Sequence, residues 1–145
     1  MSPTKTIALA LFISLLLLAS CGTGAVASTT ATSAAATPLT KTQDGLNVTL
    51  DYSPKPLRVG VPTHLTLTIK DAQHQPVSDA TVQVNLGMLG MNMEKNEPKV
   101  ETDGNGVYAT TATFSMGGNT WVVDVDIERA SKTTRVSFSG LIVNE

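Results

Sequence analysis

Thioether sulfur is the most distinctive chemistry this sequence offers. Met88, Met91 and Met93 fall within six consecutive positions of the stretch Gly87-Met88-Leu89-Gly90-Met91-Asn92-Met93. Met116 stands before two glycines in Phe114-Ser115-Met116-Gly117-Gly118. Thioethers are soft, neutral ligands that favour Cu(I), and unlike thiolates they bind without first losing a proton. Methionine's usual work is to fill irregular gaps in a core, but paired glycines and an asparagine do not belong in one. Met88 continues the inward parity of Val84 and Leu86, so it reads equally as a cap on the core. Met91 and Met93, flanked by Gly90, Asn92 and Glu94, are the better ligands.

The remaining soft donor is the single cysteine, Cys21, which follows an apolar run over residues 7–18. That run has the length of a signal-peptide core and is short for a spanning helix. It ends in Leu18-Ala19-Ser20-Cys21-Gly22, which resembles the bacterial lipobox. The motif implies cleavage after Ser20 and a diacylglycerol on the Cys21 sulfur; the alternative is an ordinary secretory signal with a chance cysteine. Once Cys21 is acylated, no disulfide, cysteine-based zinc site or thiol nucleophile is available. Methionine is also the safer soft ligand in an oxidising compartment, where paired cysteines form disulfides. The expected organisation is a signal peptide over residues 1–20, a lipidated cysteine with a flexible Ala/Thr/Ser tether over 21–43, and a folded domain over 44–145. As a coil the tether reaches about 25 Å. The expected location is the bacterial cell envelope, with the domain outside the cytoplasm and the lipid as its hold on the membrane. Removing residues 1–20 takes away one lysine, leaving nine basic and twelve acidic side chains, a net charge of −3. Such mild charge argues against nucleic acid and against a polybasic membrane patch.

The elements that must position these donors are strands. Leu46, Val48, Leu50 and Tyr52 alternate with polar residues, as a half-buried strand does. Alternation resumes in Leu65, Leu67 and Ile69, in Ala80, Val82, Val84 and Leu86, and in Trp121, Val123, Val125 and Ile127. A short strand is expected over 99–102, then a hairpin at Asp103-Gly104-Asn105-Gly106, where Asn-Gly suits a tight turn. Tyr108, Ala112 and Phe114 belong to the next strand. The last segment, 133–143, changes parity near Ser139-Gly140, as a bulge would make it do. About seven strands at ten-residue spacing, with no helix, predict an all-β, immunoglobulin-like antiparallel sandwich. Trp121 is then a core anchor, and Asp124, Asp126 and Glu128 lie on a solvated face.

Successive antiparallel strands reverse direction, so the loops after the first, third and fifth strands share one end. Met88, Met91, Met93 and Met116 converge there, with His64 as a further candidate ligand and His74 at the opposite end. His64 shares its face with Thr66 and Thr68, so a solvated strand residue is the other reading of it.

These residues carry a resemblance. The stretch 47–143 resembles the YtkA-like domain, related to FixH-like proteins. The resemblance rests on Val59-Gly60 before a strand, Pro76 with Asp79-Ala80-Thr81-Val82, the Met-x-x-Met-x-Met run, Asp103 to Tyr108 (DGNGVY) and Phe114 to Trp121 (FSMGGNTW). It implies an exported immunoglobulin-like sandwich associated with copper handling or terminal-oxidase assembly. Its partners would be envelope proteins such as an oxidase or a copper carrier. Many relatives carry proline after the first methionine and a histidine in the loop; Leu89 and Asn92 stand there here, which weakens Cu(II) in particular.

No serine elbow, phosphate loop or metalloprotease histidine pair occurs, so an enzyme is not expected. The leading expectation is a membrane-tethered domain binding or passing Cu(I) through its methionine end. The rival is an interaction or scaffold domain using the same loops as an apolar patch for a protein partner.

Overall fold

A computed structural model of the protein describes residues 37–91 and 96–145. Cys21, the expected signal peptide, the tether up to residue 36, and Met93 lie outside the described residues. The apolar alternation becomes two packed sheets. One has the order β1-β2-β4-β7-β6, built from β1 (Leu39–Gln43), β2 (Leu46–Ser53), β4 (Pro62–Lys70), β7 (Val107–Thr113) and β6 (Glu101–Thr102). The other has the order β3-β9-β8-β5, built from β3 (Leu57–Arg58), β9 (Lys132–Asn144), β8 (Gly118–Arg129) and β5 (Thr81–Met88). The fold is an all-β sandwich. Val48, Leu50, Leu65, Leu67 and Ile69 face Val84, Leu86, Val123, Val125 and Phe138 across one continuous core. Trp121 is fully buried in it, its ring edge-on to Phe114 at 5.0 Å between centroids.

The structure adds strands that the alternation does not reveal. β1 falls inside the segment expected to be tether, so the folded region reaches back at least to Leu39 rather than beginning at residue 44. All five β1 residues are exposed, so the strand has no apolar face to betray it. Backbone pairing to β2 holds it through a two-residue hairpin, Asp44-Gly45, with φ of 51° and 79°. Asp-Gly is the residue pair such a turn prefers. β3 is two residues long and runs parallel to the end of β9, an exception to the antiparallel expectation. The strand expected over 99–102 shortens to β6, which pairs with β7.

The parity change in β9 is a bulge at Gly140. Val122 pairs with Ser139 and Trp121 with Leu141, so Gly140 is the extra residue, at φ 81°. The inward set switches there from Val136 and Phe138 to Leu141 and Val143. At the far end, Tyr108 donates its phenol hydrogen to the Val77 carbonyl at 2.9 Å, clamping the β4–β5 connection to the sheet. Burial lifts the Tyr108 phenol above its ordinary pKa, while the Ala80 backbone pulls it the other way.

Candidate functional site

Met88 ends β5 directly across from Trp121 of β8. It keeps the inward parity of Leu86 and packs half-buried against the core. The chain then reverses in a turn: the Met91 N–H donates to the Met88 carbonyl at 3.2 Å, and Gly90 takes φ 79°. A type II turn requires positive φ at its third residue, and glycine supplies it without a steric penalty. The Leu89 N–H donates to the Thr120 carbonyl at 2.8 Å, fastening the turn to β8. After residues 92–95 the chain returns along the β5 edge, where the Leu86 N–H meets the Asn96 carbonyl at 3.0 Å.

The second methionine segment reaches the same place through Trp121. Its indole N–H donates to the Met116 carbonyl at 2.8 Å, so one buried ring lies across from Met88 and holds the backbone of Met116. The Gly60 N–H donates to the Phe114 carbonyl at 2.9 Å, which brings the β3–β4 connection alongside. Met91 is 53% exposed and Met116 39% exposed. Both thioether side chains therefore stand open to solvent at one end of the sandwich, with Met88 beneath them as part of the core.

His64 is elsewhere. It faces outward from β4, between Thr63 and Leu65, which are buried. Its Nδ1 lies 3.0 Å from the Thr111 hydroxyl. It lines a shallow groove with Lys99, Glu101 and Thr110 on the outer surface of the five-stranded sheet. Of the candidate ligands, the structure places Met88, Met91 and Met116 at one end of the sandwich, and no described contact joins His64 to them. His74 sits in the β4–β5 turn, bonded to Asp71, at the end where Gly106 meets Ile69. Among the described residues no group of three or more His, Cys, Asp or Glu side chains could hold a metal.

One neighbour was not visible in the sequence. The Glu145 carboxylate lies against Gly117, so close that a Cβ on Gly117 would stand 2.6 Å from Oε1. Arg58 reaches the Glu145 carbonyl at 3.4 Å. Pairing of Gly118 with Val143 sets Glu145 beside Gly117, and pairing of β3 with β9 brings Arg58 to it; no spacing motif announces a two-residue parallel strand.

Comparison with known proteins agrees with the topology. The family model for YtkA-like proteins matches residues 40–126. The chain belongs to the YtkA-like family. The match spans β1 through most of β8 and includes every candidate methionine. Among curated proteins, none matches significantly in sequence. Two solved structures share the fold. A DUF4426-family protein of Pseudomonas aeruginosa is 12% identical with a TM-score of 0.54, covering 74% of this chain and 96% of that one. A DUF4785-family protein of Legionella pneumophila is 15% identical with a TM-score of 0.50, covering 69% of this chain. The chain spans only 29% of the Legionella protein's length. At these identities the likeness concerns the fold alone.

Proposed function

We propose that this YtkA-like protein is a lipid-anchored envelope domain that binds or passes Cu(I) at its methionine end. The observation that carries the reading is the shared anchoring of the two methionine segments on Trp121, at an end of the sandwich where Met91 and Met116 are both exposed. Thioethers suit Cu(I) among biological metals. The donor set fits a soft, neutral-ligand site, with Met91 and Met116 as ligands and Met93 as a third from the adjoining segment. Met88 acts from beneath, as the packed base of the turn. Copper held this way would be exchangeable, because thioethers impose no charge on the ion.

The test is competition of the metal-free mature protein against a colorimetric Cu(I) chelator under reductant. Met91→Leu with Met116→Leu keeps volume and apolarity, a swap that usually costs under about 1.5 kcal/mol. The double variant is expected to remain folded and lose at least about tenfold in Cu(I) affinity, which corresponds to roughly 1.4 kcal/mol. Parent-like affinity in that variant sinks the metal reading. A second reading is favoured by Leu89 and Ile142, which are exposed beside the methionines: the end is an apolar surface for a partner. That reading predicts no Cu(I) binding by the parent at all.

A further inference from the structure

The exposed large apolar side chains of the described residues are not scattered. They are Leu39, Leu89, Met91, Met116 and Ile142. Leu89 is bonded through its N–H to Thr120. Ile142 lies on β9 between Leu141, paired with Trp121, and Val143, paired with Gly118. Both therefore flank the start of β8, beside the Met88–Met91 turn and Met116. Arg58, Glu145 and the Lys55–Asp51 pair also stand at this end, and Asp71, Asp79, Asp103, Arg129 and Lys132 stand around the turns of the opposite one. Asp79 and Arg129 are paired there at 2.8 Å.

The first described strand begins at the methionine end. β1 runs antiparallel to β2, pairing Leu39 with Leu50 and Gln43 with Leu46. β2 finishes at Ser53, at the methionine end, opposite His64 near the start of β4. The amino end of β1 thus points toward the methionines. Seventeen residues, 22–38, separate Cys21 from Leu39. Fully extended they span about 60 Å, long enough for the methionine end to reach the surface that holds Cys21.

The geometry points to a phospholipid bilayer as the surface that covers this end: the domain stands on the membrane with Leu89, Met91, Met116 and Ile142 against the lipid interface and the opposite end outward. The inference rests on the lipid-anchor part of the proposed function and deepens it, because it sets the thioethers within reach of the membrane rather than of the bulk compartment. A tether raises the local concentration of a weakly apolar surface at the bilayer. Side chains that would bind membranes poorly in a free protein then suffice.

The test uses the methionines as reporters, since sulfoxide formation follows access to the sulfur. The full lipidated protein is placed in vesicles of phosphatidylethanolamine and phosphatidylglycerol, with a copper chelator present, and treated with dilute hydrogen peroxide. The reference is the mature chain from residue 22, exported through an ordinary secretory signal. Mass spectrometry then follows Met91 and Met116. Both are expected to oxidise about fivefold more slowly on the vesicles. Leu89→Asp with Ile142→Asp is expected to restore the faster rate while the protein stays vesicle-bound. Equal rates for the lipidated parent and the reference overturn the inference. Protection in native membranes but not in pure-lipid vesicles also overturns it, and assigns the end to a protein. Acyl labelling of Cys21 is read in parallel. If the label is absent, the anchor reading falls and takes this inference with it; if it is present with unprotected methionines, only the inference falls.

Discussion

Gly104 and Gly106 stand two residues apart in one turn, both with positive φ, and the structure predicts very different costs for replacing them. At Gly104, with φ 81°, an added Cβ meets nothing within 4 Å. Alanine there pays only for its left-handed backbone, about 1–2 kcal/mol, part of which is offset by a stiffer unfolded chain. At Gly106, with φ 72°, the Cβ would lie 2.8 Å from the Ile69 carbonyl oxygen, 2.9 Å from the Val77 nitrogen and 3.0 Å from Pro76 Cβ. These are backbone and ring atoms, not the ends of flexible side chains. They are also fixed, because the Ile69 N–H donates to the Gly106 carbonyl at 2.8 Å and the Val77 N–H to the Ile69 carbonyl at 3.0 Å. Relieving the clash breaks at least one of these bonds, adding about 1–3 kcal/mol for a group left unsatisfied. Gly106→Ala should therefore be less stable than Gly104→Ala by about 2 kcal/mol, or roughly 10 °C in Tm for a domain of this size. Urea unfolding of both variants, with unchanged m-values, measures the difference. Equal stabilities would mean that the strap at 76–77 does not press on the turn, and the account of the DGNGVY motif would be wrong.

The β8–β9 hairpin turns through Ala130 and Ser131 at φ 49° and 62°, both unfavourable for residues with a side chain. Ala130→Asn with Ser131→Gly matches that turn's preference and should raise stability by about 1 kcal/mol in the same urea assay. Trp121→Phe keeps an aromatic ring against Phe114 but removes the donor to the Met116 carbonyl. It should cost about 1 kcal/mol for the bond alone and weaken Cu(I) binding, whereas unchanged affinity would show that the tie does not position Met116. The Asp51 carboxyl is held below its ordinary pKa, chiefly by its hydrogen bond with Lys55, against the opposing effect of burial. A depressed carboxyl stabilises the fold above its unfolded pKa, and that contribution disappears as pH falls through the lower folded value. Lys55→Gln should therefore flatten the acid limb of the stability profile below about pH 4, measured by denaturation across pH.

Much of the sandwich was legible because its strands bury one face. Leu65, Leu67 and Ile69 alternate in the sequence and are buried in the structure, and the shift of parity at Gly140 was visible for the same reason. β1 escaped because none of its residues is buried, although Asp44-Gly45 carried a hairpin signal that the tether's composition masked. β3 escaped because two residues between prolines hold no period. The end-to-end placement of Met88 and Met116 follows from strand parity alone. The role of Trp121 in joining them needed coordinates, since an indole N–H bonding a backbone carbonyl five residues earlier leaves no pattern in sequence. His64 illustrates the limit of parity: it assigned the end of the strand, but the face decided which neighbours the ring meets.

The antiparallel run of β1 also has a mechanical consequence. A pull on the chain ahead of Leu39 acts along the strand, at right angles to hydrogen bonds that lie across it. The five paired positions from Leu39 to Gln43 then carry the load together, in shear. Had the chain entered at the hairpin instead, the same force would have opened those pairs singly, like a zip. No β1 side chain belongs to the core, so tension on the chain ahead of Leu39 is met first by a strand that can yield without opening the interior.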